Sequence, residues 1–282
     1  TTGKRMDEVV METLDLPADR FAAISGPNLS KQIADREPAA TVVACENLDN
    51  ARKIAAACTT DYFRAFVTRD VIGLEMCGSL KNVVALAVGM ARGAGYGENT
   101  AAMIETRGLA ELTALGEAAG ADPKTFAGLA GVGDLIATCG SPLSRNYTFG
   151  SNLGKGLSVE EATKVSNGVA EGVPTTDAVV ALGKQYGVPT PLATAMSHVL
   201  SDGISCAQML SELFGEGISE EQAFRNIAIA DKTALSGAVF LFFEACDCVK
   251  RQSECVNRQS PYISAIIVNL YKNSLIVIRQ SD

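Results

Sequence analysis

The stretch from Gly128 to Gly150 combines residues that can hold a phosphate group. It places Asp134 on a glycine-rich turn and continues to the tripeptide Ser144, Arg145 and Asn146. The guanidinium of an arginine offers a planar set of donors that matches phosphate oxygens in a bidentate arrangement. A neighbouring hydroxyl and carboxamide can complete the cage, so the tripeptide predicts a site for a small phosphorylated ligand. The alternatives are that Arg145 is solvated surface and that Ser144 only caps a helix.

Lys81 lies within an almost entirely apolar run from Gly78 to Leu86. Removing an ammonium group from water favours the neutral amine, which is the form that a general base needs near neutral pH. Such a lysine can take the hydroxyl proton of a secondary alcohol as a hydride leaves, and can return it in the reverse reaction. The alternative is a lysine whose charged end reaches solvent from the flank of a helix. Asp134 can accept hydrogen bonds from ligand hydroxyls or from Lys81, or can cap a helix that runs to Thr138.

These two groups belong to a series of motifs that resembles the bacterial-type NAD(P)-dependent glycerol-3-phosphate dehydrogenases. The resemblance extends from about Ser25 to about Leu213 and implies interconversion of sn-glycerol 3-phosphate and dihydroxyacetone phosphate, with NAD or NADP as cofactor and a role in glycerophospholipid synthesis. The motifs are SGPNLS (25–30), GSLKNVVALAVGM (78–90), NTAAMIETRGLAE (99–111), GLAGVGDLIATC (128–139), SRNYTFG (144–150) and VAEGVPT (169–175).

The resemblance also implies a role for each matching residue. Lys81 corresponds to the proton-transfer residue of the family. The substrate-binding positions are Gly26, Asn28, Lys81, Asp134, Ser144, Arg145 and Asn146. The cofactor-binding positions are Ser30, Arg145, Val169 and Glu171. Because a glycine allows close backbone approach, we expect Gly26 to lie against the ligand.

Composition excludes several other classes of function. The net charge of −8 argues against non-specific nucleic-acid binding, which needs a basic face. The eight cysteines include no CxxC pair, so we expect buried free thiols in a reducing cytoplasm and no metal site. We expect no membrane span, because no segment reaches about 20 apolar residues. The single histidine, His198, is expected to be packed or at the surface rather than catalytic. The sequence is compatible with a homodimer and leaves the oligomeric state open.

The expected fold is a remnant of an α/β domain followed by a mainly α domain. Short strands at 21–24, 41–45 and 63–67 alternate with helices at 7–14, 29–34 and 48–58. They are typical of the end of a Rossmann-like NAD(P)-binding domain, which we assign to residues 1–69. Long helical patterns then predict an all-helical substrate domain over 70–222, similar to the C-terminal domain of 6-phosphogluconate dehydrogenase. We expect a long first helix after an Asp70 cap that ends near the glycine cluster at 93–97, and further helices at 99–119, from Pro123, 158–165, 175–186, 191–200 and 206–214.

Both ends of the chain are unusual for this family. The sequence starts at Thr1 and has no GxGxxG after a strand, so we expect about a hundred residues of the nucleotide-binding half to be missing. Lys4 lies too close to the next helix to match the lysine that precedes the family's SGP motif. Residues 223–282 carry seven Lys or Arg and five Asp or Glu, in contrast to the acidic remainder. We interpret this tail as frameshifted or read-through sequence, with a genuine appended element as the alternative.

Two rival functions remain open at the level of sequence. One is a catalytically dead truncated remnant, which the missing nucleotide-binding sequence favours. The other is a related β-hydroxyacid or phosphogluconate dehydrogenase, against which the Ser-Arg-Asn segment and the spacing from Lys81 to Asp134 argue. The preference between NAD and NADP is not determined by these residues.

Overall fold

A computed structural model describes residues 4–166 and 170–214 of the chain. Val169 and the whole of the tail at 223–282, including its three cysteines, lie outside the described residues. The strands are β1 (Ala23–Ser25), β2 (Ala39–Ala44) and β3 (Phe63–Thr68), in the order β1-β2-β3. β1 runs antiparallel to β2, with Ile24 opposite Val43, and β2 runs parallel to β3, with Thr41 opposite Ala65. All three predicted strands are present, with bounds shifted by one or two residues.

Helices make up most of the remaining described chain. The first three belong to the sheet region: α1 (Met6–Leu14), α2 (Ser30–Ala34) and α3 (Leu48–Cys58), with a 3₁₀ turn at Ala18–Arg20. The others follow without further strands in the described residues: α4 (Val71–Gly93), α5 (Glu98–Ala118), α6 (Pro123–Phe126), a π-helical turn (Leu129–Gly133), α7 (Asp134–Cys139), α8 (Arg145–Gly154), α9 (Val159–Val165), α10 (Gly172–Tyr186), α11 (Pro191–Asp202) and α12 (Cys206–Phe214). The expected order of an α/β part before a helical part is confirmed.

Helix α4 is the centre of the structure. The Asp70 side chain caps it by accepting the N–H of Gly73 at 2.9 Å, as predicted. Its middle, from Val83 to Ala91, is completely enclosed by the other helices. The expectation that no segment is long and apolar enough to cross a membrane is wrong, because α4 has the required length and a mean hydropathy of 1.6. However, 67% of that window is buried inside the protein, which is typical of a core helix.

Helices α4 and α8 touch through their backbones. Gly89 and Gly93 of α4 face the carbonyl groups of Tyr147 and Ser151, and a Cβ atom at either glycine would overlap those carbonyls. On the other side of the contact, Gly150 and Gly154 of α8 lie just as tightly against the carbonyls of Leu86 and Met90. Each helix therefore contributes two glycines four residues apart, which lie on one helical face and let the axes approach closely.

A buried carboxylate joins α5 to α11. Glu111 is 7% exposed and accepts the N–H groups of Leu192 at 2.8 Å and Ala193 at 3.2 Å, in the first turn of α11. Arg107 precedes Glu111 by one turn on the same face of α5, but the carboxylate accepts its hydrogen bonds from α11. The unsatisfied N–H groups at the start of a helix are good donors to a carboxylate. Burial raises the pKa of Glu111 to about 7, although the two backbone hydrogen bonds oppose the shift.

The glycine contact predicts a large loss of stability when either helix gains a side chain there. We expect Gly150→Ala to lower the free energy of unfolding by about 3 kcal/mol or to prevent folding, because backbone atoms on α4 cannot move aside as a side chain would. Gly97→Ser is the matched control, since a Cβ at Gly97 meets nothing within 4 Å and serine is a good N-cap for α5. Denaturant unfolding followed by circular dichroism measures both, and equal stability of the two variants would refute the contact.

Glu111 predicts a pH dependence of stability. Its pKa is higher in the folded protein than in the unfolded chain, so the folded state retains the proton between about pH 4.5 and pH 7. The stabilisation from this group is complete below that window and is lost as pH rises through it, on the order of 1 to 3 kcal/mol. Unfolding free energies from pH 4 to pH 8 should show a shallower decline in Glu111→Gln than in the parent chain. Parallel curves for the two proteins would contradict the assignment.

Candidate active site

Lys81 lies on α4 with its side chain 17% exposed, and its ammonium forms an ion pair with Oδ2 of Asp134. Leu80 and Val83 on either side are buried, as the apolar sequence suggested. The alternative of a lysine that reaches solvent is therefore wrong, since the ammonium is held at Asp134. A carboxylate partner stabilises the charged ammonium and opposes the effect of the apolar neighbours.

Asp134 is the first residue of α7 and follows directly on the π-helical turn. Gly131 within that turn packs so tightly on the Phe126 carbonyl that a Cβ would overlap it, which fixes the direction in which Asp134 leaves the turn. Asp134 is 4% exposed, and its second oxygen accepts the Thr138 hydroxyl at 3.2 Å. The alternative role as an N-cap is wrong, because Gly133 occupies the cap position and no side chain caps this helix.

Opposing effects act on the Asp134 carboxyl. Burial raises its pKa above the usual range, whereas Lys81, Thr138 and Ser25 lower it. A carboxylate this deeply buried stays charged only if donors surround it. The pair with Lys81 is thus an ammonium and a carboxylate at the edge of the core, and the ammonium is the form that donates a proton to a substrate oxygen.

The Ser-Arg-Asn tripeptide begins α8. The buried Ser144 is the N-cap residue and its hydroxyl accepts the Tyr147 N–H at 3.3 Å, so it does cap the helix. Arg145 is different, because its side chain is 54% exposed and it forms an ion pair with Glu171. Its guanidinium therefore lies at the surface, where a phosphate can reach it.

Asn146 is buried and bonded at both ends of its carboxamide. It donates to Oδ1 of Asn82 at 2.9 Å and accepts the N–H of Gly172 at 2.8 Å. It thereby connects α8 to α4 next to Lys81 and to the first residue of α10. The predicted role of Asn146 in holding a substrate stays a prediction, and its position in the structure is that of a cross-link.

The SGP segment lies between the sheet and α4. Gly26 has a φ of +153°, and a Cβ there would be 3.1 Å from Cα of Thr41 in β2. The neighbouring strand therefore gives Gly26 a structural reason to be a glycine, and the expectation that Gly26 lies against a ligand stays a prediction. Asn28 donates to the Thr41 hydroxyl at 2.9 Å, and its buried Oδ1 accepts no hydrogen bond among the described residues. Ser30 is exposed at the start of α2.

The structure brings Lys81, Asp134 and Asn146 to one stretch of α4, whereas Ser30 lies on α2 and has no hydrogen bond to them among the described residues. Lys81 and Asp134 are on one side, and Asn82 connects them to the α8 residues. Ser25, Thr138 and Asn82 were not predicted as members of the site. Thr138 follows Asp134 by one helical turn, so helical spacing could have identified it. His198 is half exposed and paired with Glu212 at 2.9 Å, and Lys4 is paired with Glu12, both away from this stretch of α4.

Two family models match the chain. The model for the NAD-dependent glycerol-3-phosphate dehydrogenase C-terminus matches residues 70–211, which is half of the chain, and the model for the N-terminus of the same enzymes matches residues 1–51. The first match contains Lys81, Asp134, Arg145 and Glu171. The family assignment decides against the phosphogluconate dehydrogenase alternative.

Individual relatives agree with the family models. A glycerol-3-phosphate dehydrogenase [NAD(P)+] of Bifidobacterium longum subsp. infantis is 84% identical over 220 residues, which cover 78% of this chain and 66% of the relative. The corresponding protein of Streptomyces griseus is 48% identical over 221 residues, again 78% of this chain and 66% of that protein. The chain thus spans slightly less than two thirds of the length of these curated relatives.

Solved structures show the same architecture. The crystal structure of glycerol-3-phosphate dehydrogenase from Coxiella burnetii superposes with a TM-score of 0.72 at 34% identity, covering 76% of this chain and 65% of that one. The enzyme from Saccharomyces cerevisiae gives a TM-score of 0.66 at 26% identity, with 74% and 63% covered. Two family models, close relatives and shared architecture agree, and the chain belongs to the NAD-dependent glycerol-3-phosphate dehydrogenase family.

Proposed function

We propose that the protein interconverts sn-glycerol 3-phosphate and dihydroxyacetone phosphate with NAD or NADP. The observation that carries the proposal is the partly buried ion pair of Lys81 and Asp134, connected through Asn82 and Asn146 to the exposed guanidinium of Arg145. A proton donor and a phosphate-binding group are what reduction of a small phosphorylated ketone requires.

In the direction of reduction, Lys81 acts as the general acid. Its Nζ donates a proton to the oxygen at C2 of dihydroxyacetone phosphate as that carbon is reduced, and in the reverse direction the amine takes the proton back. Asp134 holds the Lys81 side chain in place through the ion pair. The same pair serves both directions, and reduction of the ketone supplies glycerol phosphate for phospholipids.

We assign the substrate phosphate to Arg145, with Ser144 and Asn146 at the start of α8. The positive end of this helix and the guanidinium both favour a dianion. We also assign Gly26 and Asn28, which follow β1, to the substrate site. The buried Oδ1 of Asn28, which accepts no hydrogen bond among the described residues, is an acceptor that a substrate hydroxyl can satisfy.

The residues present fit a nicotinamide dinucleotide. Glu171 offers a half-exposed carboxylate of the kind that binds ribose hydroxyls, and Arg145 offers a guanidinium for phosphates. Ser30 adds an exposed hydroxyl at the start of α2, and Val169 is assigned from the family motif alone. When bound, NADH or NADPH supplies the hydride.

The domain boundary belongs to the same proposal. We place the end of the cofactor domain at residue 69 and the helical substrate domain at 70–222, with 223–282 as an atypical tail. The last strand ends at Thr68, α4 begins at Val71, and the C-terminal family model begins at residue 70, all of which support the division. We further propose a cytoplasmic homodimer that acts on a small molecule and takes no part in nucleic-acid binding.

The decisive experiment is oxidation of NADH in the presence of dihydroxyacetone phosphate. Three proteins are compared: this chain, a version extended at its N-terminus with the corresponding segment of the Bifidobacterium longum relative, and the extended version carrying Lys81→Ala. We expect the extended protein to be active and Lys81→Ala to lower kcat by a factor of about 10² to 10⁴, the usual contribution of general acid catalysis. Lys184→Ala, an exposed lysine on α10, is the control and should leave kcat unchanged.

Two outcomes would overturn the proposal. Inactivity of the extended protein would leave the alternative of a catalytically dead remnant. Full activity of Lys81→Ala, with Lys184→Ala behaving identically, would show that the proton comes from another group. Thermal unfolding of each variant separates loss of chemistry from loss of fold.

Arg145 should make the enzyme selective for the phosphorylated ketone over the unphosphorylated one. At saturating NADH, we expect Arg145→Met to raise KM for dihydroxyacetone phosphate about 10- to 100-fold, as for loss of a hydrogen bond to a charged group, and to change KM for unphosphorylated dihydroxyacetone much less. Lys155→Met is the control, because it removes an exposed cation from the far end of α8 and should leave both KM values unchanged. An equal effect on both ketones would show that Arg145 does not bind the phosphate.

A further inference from the structure

Ser25 is the last residue of β1 and lies where the sheet meets α4. Its carbonyl accepts the Thr41 hydroxyl of β2 at 3.1 Å, which fixes the end of the strand. The next residue is Gly26, whose backbone is packed on β2. The position of Ser25 is therefore determined by the sheet and not by the helices.

The Ser25 side chain faces α4 at Gly78. A Cβ built on Gly78 would be 3.0 Å from Oγ of Ser25, a separation that leaves no room for a larger residue without displacing the hydroxyl. Gly78 precedes Lys81 by three residues, so both lie on the same face of the helix. The hydroxyl thus sits one helical turn before the catalytic lysine.

From this position Ser25 reaches Asp134. The hydroxyl lowers the pKa of Asp134, against the larger opposing effect of burial. Lys81 from α4 and Thr138 from α7 donate hydrogen bonds to this carboxylate, and Ser25 acts on it from the end of β1 beside Gly78. The first two belong to the helical part, and Ser25 contributes from the sheet.

The other titratable groups around Asp134 are two thiols, which stay neutral in the relevant pH range, and one carboxyl. Cys77 of α4 faces it, and burial raises the pKa of that thiol to about 12. Cys139 at the end of α7 is also close, and burial raises its pKa far above the ordinary value. Glu105 of α5 acts on Cys139, and burial raises its own pKa as well. Lys81 is thus the charged group paired with Asp134.

We propose that Ser25 is a positioning residue of the reaction, whose hydroxyl holds the Asp134 carboxylate against Lys81 so that the sheet and the helical part share one proton-transfer site. The catalytic role of Ser25 rests on the proposed function, whereas its effect on the ion pair of Lys81 and Asp134 does not. Gly78 contributes to this arrangement, because its missing side chain leaves room for the Ser25 hydroxyl beside α4.

The first test measures the titration of Asp134 directly. The chain is labelled with ¹³Cγ-aspartate, the Asp134 signal is assigned with Asp134→Asn, and its chemical shift is followed with pH. We expect Ser25→Ala to raise the pKa of Asp134, because a donor to the charged form is lost. Gly78→Ala should move it in the same direction by displacing the hydroxyl. In the double variant the effects should not add, because only one hydroxyl can be lost.

The controls and the kinetics decide between this inference and a merely structural role. Ser79→Ala, an exposed neighbour on α4, should leave the Asp134 titration unchanged. In the active extended protein, Ser25→Ala should lower kcat with little change in KM and move the acid limb of the pH profile to higher pH. An unmoved Asp134 titration in both Ser25→Ala and Gly78→Ala would overturn the inference. A shifted titration in a protein that never reduces dihydroxyacetone phosphate would overturn the proposed function and leave the positioning role intact.

Discussion

The backbone contact between α4 and α8 is the constraint on which the rest of the site depends. Four glycines, two on each helix, let carbonyl groups of one helix lie where side chains of the other would normally be. Because the contact is made by backbone atoms at successive turns, it fixes both the distance and the register of the two helices. Register is what brings Asn146, the second residue of α8, to Asn82 beside Lys81. The end of α8 to which we assign the phosphate is therefore placed relative to the proposed proton donor by glycines that we assign no part in the chemistry.

The ion pair that the helices position is costly for the fold. A buried carboxylate loses hydration that one ammonium partner does not fully replace, and an apolar pair of similar size often gives equal or greater stability. The surrounding structure compensates with further donors: Thr138 and Ser25 both act on Asp134. A carboxylate held by several donors suits proton transfer, because it keeps Lys81 oriented when the proton leaves. The proposed reaction therefore accounts for an ion pair that packing alone would disfavour.

Local patterns in the sequence predicted much of this molecule and missed what depends on distant contacts. Periodicity and capping residues located the strands and most of the helices, and residue type identified Lys81 and Asp134. The partner of Glu111 was missed, because the start of α11 is far away in the sequence and local spacing offered Arg107 instead. The reason for Gly26 was missed similarly, since the strand that excludes a Cβ is reached only after folding. Ser25 had no local signal, because its significance arises from Gly78 and Asp134, on two other elements.

The two ion pairs of the site differ in exposure, and the difference matches what each must do. Arg145 and Glu171 are about half exposed, and a pair of that kind contributes only about 0 to 1 kcal/mol. A phosphate dianion with better geometry can displace the glutamate at little cost, which frees its carboxylate for other hydrogen bonds. Lys81 and Asp134 are largely buried, and separating them would leave a charge without solvent. In the proposed reaction, binding would rearrange the outer pair and leave the inner pair in place, so that Arg145 could move while Lys81 stays fixed.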